Sequence, residues 1–95
     1  NRKMAESIVE INCAESVIIA QVADLYAQLL MAMAEGQAIQ INLSDIERID
    51  TAVIQLFYSF SRNAQLQGLV VIWSNPSQLF CEAVDRLGIK AFYAQ

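Results

Sequence analysis

An α/β domain with a small, mostly parallel sheet is the fold class this 95-residue chain predicts. Three observations carry it. Short β-branched runs alternate with stretches of helical periodicity, the order that gives βαβ units. Gly36, Gly68, Gly88 and the single Pro76 fall where segments of strand and helix length meet. Hydrophobic residues make up 56% of the chain against 17% charged, which suits a buried core and argues against disorder. That apolar share also leaves room for an exposed patch that meets a partner. The length fits one domain over residues 1–95.

Residues 7–11, Ser-Ile-Val-Glu-Ile, predict a first strand, and residues 12–15 a turn. Ser16, Val17 and Ile18 are either a short second strand or the lead-in to a helix. Residues 19–35 predict the first helix. Ile19, Val22, Ala23, Tyr26, Leu29, Leu30 and Met33 recur at spacings of three and four, and Gly36 supplies the stop. Residues 38–43 alternate, with Ile39, Ile41 and Leu43 on a core face and Gln40 and Asn42 on a polar one. Residues 44–50 read as a polar connection interrupted by Ile46 and Ile49.

A second helix is predicted over residues 51–67, with Val53, Leu56, Phe57, Phe60 and Ala64 as its buried stripe and Gly68 after it. The run Leu69-Val70-Val71-Ile72-Trp73 predicts the central strand, covered on both faces, with Trp73 in the core. Ser74-Asn75-Pro76-Ser77 opens a third helix, Pro76 suiting its first position. Phe80, Ala83, Val84 and Leu87 are its buried stripe, ended by Gly88. Residues 89–93 are a final strand or a last turn packing on the sheet edge. The predicted order is β-β-α-β-α-β-α-(β).

Composition excludes several chemistries. The chain has no histidine, which removes Ser-His-Asp and Cys-His catalysis and any histidine-ligated metal. A net charge of −4 with no basic cluster disfavours nucleic acid and anionic membrane surfaces. Cys13 and Cys81 are far apart and form no C-x-x-C pair, so reduced, buried thiols in the cytoplasm are expected, without zinc or redox chemistry. No glycine-rich phosphate loop is present. No apolar run reaches the roughly 18–20 residues of a membrane span, so direct membrane insertion is not expected. Residues 1–4 do not resemble a signal peptide. Residues 1–3 precede Met4 and read either as a cloning remnant or as part of a longer protein. Asp45, Glu47 and Asp50 lie close in sequence, but nothing supplies a complementary acid, nucleophile or metal site. The expectation is a non-enzymatic protein without cofactor or metal.

Residues 41–56 read Ile-Asn-Leu-Ser-Asp-Ile-Glu-Arg-Ile-Asp-Thr-Ala-Val-Ile-Gln-Leu. The segment resembles the central motif of STAS domains, the anti-sigma-factor-antagonist family. That motif has a strand ending in a hydrophobic residue, Asp or Asn, Leu and Ser, an acidic loop, then Ile-Asp-Ser/Thr opening a helix. Gly68 with the apolar strand after it, residues 74–77 and Leu87-Gly88-Ile89 follow in the family's order. Many members carry Gly two residues after the motif Ser/Thr; here Ala52 and Val53 follow Thr51. In this the chain is more similar to stressosome-type or chemotaxis-cluster members than to the simplest anti-sigma antagonists.

The resemblance implies a phosphoacceptor at Thr51. The physical case is independent of it: a helix start exposes unpaired N–H groups and a partial positive charge, which suit a phosphate. A phosphate adds about −1.5 to −2 charge at pH 7. It would arrive beside Asp45, Glu47 and Asp50 and alter how a partner meets that surface. The plainer alternative is that Asp50 and Thr51 only cap the helix. Ser44, Asp45, Ser74 and Asn75 sit at the C-terminal ends of predicted parallel strands, where crevices form, or else serve turn and cap chemistry. With Asp50, Thr51 and Ala52 they form the expected partner-binding set.

The function this implies is a cytoplasmic, bacterial, protein-binding switch. Its partner would be a serine/threonine kinase, an anti-sigma factor, or a chemotaxis or stress-signalling scaffold. A second reading is a small regulatory subunit of a lipid-transport ABC ATPase complex, which needs no phosphorylation. A third is a domain of a larger transporter or sensor. A homodimer is left open.

Overall fold

The computed structural model describes residues 8–94. In chain order its elements are β1 (Ile8–Asn12), β2 (Ser16–Val17), a 3-10 turn (Ile19–Gln21), α1 (Val22–Glu35), β3 (Ala38–Asn42), β4 (Arg48–Ile49), α2 (Thr51–Leu66), β5 (Val71–Ser74), α3 (Gln78–Leu87) and a closing 3-10 turn (Phe92–Ala94). The β-β-α-β-α-β-α order predicted from the sequence is present, with one further short strand, β4, between β3 and α2. Ser7, the predicted start of the first strand, lies outside the described residues.

The alternating apolar and polar side chains of β3 require a strand with one wet face, and β3 is the centre of the main sheet. That sheet is parallel and ordered β1–β3–β5. A crossover between parallel strands is right-handed, and β1 to β3 and β3 to β5 step the same way across the sheet. Both crossover helices therefore fall on one side. Ile11, Ile39, Ile41, Leu43 and Trp73 point there and pack against Leu25, Leu29 and Ala32 of α1, Val53, Phe57 and Phe60 of α2, and Phe80 and Val84 of α3. The opposite face carries Ile8, Glu10, Gln40, Val70 and Ile72, with Val70 57% and Ile72 41% exposed. Among the described residues no helix covers that face.

This corrects the expectation for residues 69–73. The run is an edge strand, shifted to Val71–Ser74, and is covered on one face only. An unbroken apolar run suggests double burial, but the register pairs Ile72 with Gln40, which in turn pairs with Glu10, on the wet face. Trp73 is in the core as expected. Its ring lies 5.3 Å from that of Phe57 and 5.0 Å from that of Phe92. Phe80 stands 6.4 Å from Phe57 and 6.2 Å from Phe92. This cluster ties α2, α3 and the chain's last turn to β5, and removing one such ring costs about 3–5 kcal/mol.

The stripe of α1 is also rotated from its predicted position. Leu25, Leu29 and Ala32 are buried, with Val22 and Met33 packed beside them. Ile19, Tyr26 and Leu30, assigned to the core by spacing, are exposed. The helix is apolar almost all round, so three-and-four spacing fits more than one face. On α2, Val53, Phe57, Phe60 and Ala64 are buried as expected, Ile54 joins them, and Leu56 is only half-buried. On α3, Phe80 and Val84 are buried, but Ala83 is half-buried and Leu87 exposed. Pro76 precedes the cap residue Ser77 and does not occupy the first helical position. Residues 89–93 form no strand; the turn that closes the chain buries Phe92.

Cys13 and Cys81 are both free, Cys13 buried and Cys81 half-buried. Burial pushes the Cys13 thiol up to about 11. The Tyr93 phenol is raised, first by its hydrogen bond with the Cys81 side chain and then by burial.

Candidate functional site at the start of α2

The connection from β3 to α2 was expected to be an irregular polar loop. Instead it contains β4, which pairs in parallel with β2: Ser16 with Arg48 and Val17 with Ile49. Ile46 is buried, and the N–H groups of Glu47 and Arg48 both donate to Glu15 O, at 2.8 and 3.0 Å. This second small ladder fixes the approach to α2. The two isoleucines that interrupt the polar run were the signal for it.

Asp50 ends the ladder. Its N–H donates to Val17 O at 3.1 Å, and its own carbonyl accepts from Val53 N–H at 2.9 Å and Ile54 N–H at 3.3 Å. The backbone of Asp50 is extended, as at a helix cap, but its side chain does not cap α2. Oδ2 accepts instead from Ile19 N–H at 2.8 Å. The carboxylate therefore bridges the start of α2 to the turn that leads into α1. The simple capping role considered for Asp50 is not the one its side chain plays.

Thr51 is the first residue of α2 and, with Ala52, is exposed. Asp50 O satisfies the next two N–H groups, so those of Thr51 and Ala52 are the ones left at the positive end of a 16-residue helix. Beside them, between β4 and α3, lies a groove of about 340 Å3. Ile49, Leu79 and Ala83 give it an apolar lining; Glu47, Arg48, Asp50, Glu82 and Arg86 give it charge of both signs. The α3 residues of this groove are absent from the set drawn from the sequence. Leu79, off the buried stripe of α3 and exposed, was the available hint.

The other four residues of the expected set form a second group. Ser44 and Asp45 are exposed, and Ser44 N–H donates to Asn42 Oδ1 at 3.1 Å. Ser74 pairs with Asn42 across the sheet, and Leu43 N–H donates to Ser74 O at 2.9 Å. The Ser74 hydroxyl is half-buried and donates to Ile41 O at 3.4 Å. Asn75 is exposed with φ of 50°, a left-handed conformation that Asn tolerates better than most residues. The fold thus joins Ser44 and Asp45 to Ser74 and Asn75 at the end of the sheet. It joins Asp50, Thr51 and Ala52 to the β2–β4 ladder. Ser77 links the two regions: its Oγ accepts from Phe80 N–H at 3.1 Å, capping α3, and donates to Ile46 O at 2.7 Å.

A family model described as "Mlab, STAS domain" matches residues 2–93. The chain belongs to the STAS family. No curated protein and no solved structure matches it. The STAS domain is a regulatory fold of the anti-sigma-factor-antagonist kind, and its members generally act through protein–protein contacts. In this STAS domain the motif Asp is Asp50 and the residue after it, Thr51, stands at the exposed tip of α2. Among the described residues no helix is long and apolar enough to cross a membrane.

Proposed function

We propose that this STAS domain is a non-catalytic switch in bacterial signalling. It docks a cytoplasmic kinase, an anti-sigma factor or a chemotaxis or stress-signalling scaffold through the start of α2, and phosphate on Thr51 toggles the contact. The observation that carries this reading is the division of labour at residues 50 and 51. Asp50 is committed to Ile19 N–H, whereas Thr51 is exposed and its neighbouring N–H groups are open. A phosphate there would be held by those N–H groups and the helix dipole without disturbing the core. Its charge, about −1.5 to −2, would add to that of Asp50 and Glu47 beside the groove and turn away an acidic or apolar partner.

The groove between β4 and α3 supports the same reading, since its apolar lining and mixed rim suit a partner segment. The test is phosphorylation by the cognate serine/threonine kinase, mapped by mass spectrometry. It is run beside a pull-down of that kinase or its anti-sigma partner with wild type, Thr51→Ala and Thr51→Asp. Phosphate on Thr51 is expected, with retention by wild type and Thr51→Ala and loss with Thr51→Asp. Modification elsewhere, or equal capture of all three, sinks the switch. Equal capture of an ABC ATPase whose activity depends on this chain would put the unmodified subunit role in its place.

A further inference from the structure

A surface helix ordinarily buries an apolar stripe and turns polar residues to water. The solvent side of α1 does the opposite. Ile19, Ala23, Tyr26, Leu30 and Ala34 follow one another at spacings of four, three, four and four, so they share one face, with Ala27 beside them. All six are exposed, Ile19 at 56%, Tyr26 at 45% and Leu30 at 43%. The charged residues of α1, Asp24 and Glu35, lie on the flank toward β1, where each lines a hollow with Ile11. The stripe therefore runs for about 23 Å without a charge. None of its residues lines the groove between β4 and α3.

The order of side chains along the stripe indicates what covers it. Set two copies of the helix antiparallel about a two-fold axis between Tyr26 and Ala27. Ile19 then stands level with Ala34 of the second copy, Ala23 with Leu30, and Tyr26 with Ala27. Every level holds one bulky side chain from one copy and one alanine from the other, so the pair fills evenly and the axes approach closely. A parallel pair would set bulky residues level with bulky ones and alanines level with alanines. A two-fold contact must be complementary to itself, and this face is so in one direction only.

We propose that the outward face of α1 binds a second copy of this chain, as an antiparallel helix pair. Charge supports that occupant. Each copy carries −4, and an interface that brought acidic residues together would fail; this stripe brings none. It also has no charge with which to select a partner of opposite sign. A contact about 23 Å long and one helix face wide is smaller than a standard interface of about 1,600 Å2, so the dimer is weak and depends on concentration. The residual repulsion between the copies lies outside the contact, and salt screens it.

The test is sedimentation equilibrium of the 95-residue chain from about 10 μM to about 1 mM. A monomer–dimer equilibrium is expected, tightening as salt rises from about 0.05 to about 0.5 M. Leu30→Glu and Ala23→Lys each place a charge against an apolar partner twice over, and each should weaken the dimer by about tenfold or more. The two together in one chain set Lys against Glu twice across the axis and should restore most of the loss. Both positions are exposed, so circular dichroism should show all three variants folded like wild type. A monomer at every concentration overturns the proposal. So does a dimer indifferent to Leu30→Glu, which would put the contact elsewhere, including residues 1–7. A double variant no better than the single ones overturns the antiparallel pairing of Ala23 with Leu30.

Discussion

Replacing Asp50 by Ala should destabilise this domain although the residue is only half-buried and the helix it precedes keeps its backbone. The Asp50 carboxylate makes one hydrogen bond, to Ile19 N–H at 2.8 Å. A hydrogen bond to a charged group contributes about 1.5–3 kcal/mol when well shielded. Ile19 is exposed, so water competes for its N–H, and a loss of about 1–2 kcal/mol is the expected size. For a domain of this length that corresponds to a fall of about 5–10 °C in Tm. Asp50→Asn keeps an acceptor and should lose less.

Thr51→Ala removes a side chain with no hydrogen-bond partner among the described residues and should stay within about 0.5 kcal/mol of wild type. Urea unfolding at constant m reads all three. The decisive arm is a double-mutant cycle with Ile19→Pro. Ile18, at φ −115° and ψ 172°, already has the backbone that a following proline requires. Ile19→Pro deletes the donor, so Asp50→Ala should cost little in that background. A coupling energy near zero, or a large loss with Thr51→Ala alone, would refute the bridge between the start of α2 and the turn before α1.

Two further outcomes follow from the same coordinates. Ser77→Ala should cost about 1–2 kcal/mol in urea unfolding, because one hydroxyl both caps α3 at Phe80 N–H and bonds Ile46 O; Ser77→Thr should recover much of it. Cys13 should make the domain less stable in alkali. Its thiol keeps its proton to about 11 when folded, against 9.0 for an unburied thiol, so between those pH values the unfolded chain binds fewer protons. Stability then falls with rising pH, by about 1.4 kcal/mol per unit. Cys13→Ala should remove that slope from Tm measured across pH 8 to 11, and an unchanged slope would contradict the buried thiol.

Most of the fold was legible because strand and helix periods differ and the glycines fall at the junctions. Gly36 and Gly88 do end α1 and α3, at φ 68° and 73°. The motif at residues 41–56 gave the family and the place of Thr51. What the sequence concealed follows a pattern. The apolar residues of α1 surround the helix, so spacing could not choose between Leu25 and Tyr26 for the core. The apolar run before Trp73 suggested a doubly covered strand, yet the alternation of Gln40 and Asn42 in β3 already implied a sheet with one wet face. Reading β3 and β5 as neighbours would have exposed the conflict. The tie from Asp50 to Ile19 spans 31 positions, and no local spacing signals it. The groove beside β4 depends on how α3 packs after the last strand, which a single sequence does not encode in any short motif.

Because both crossovers turn the same way, the outward residues of β1, β3 and β5 are spared any role in the core. Substitutions at Glu10, Gln40 or Ile72 alter what the sheet offers to its surroundings while Ile11, Ile41 and Trp73 behind them stay as they are. Such a layout lets a lineage try new associations at one residue per position, with little forfeited in folding, and a small domain can then diversify its company faster than its scaffold.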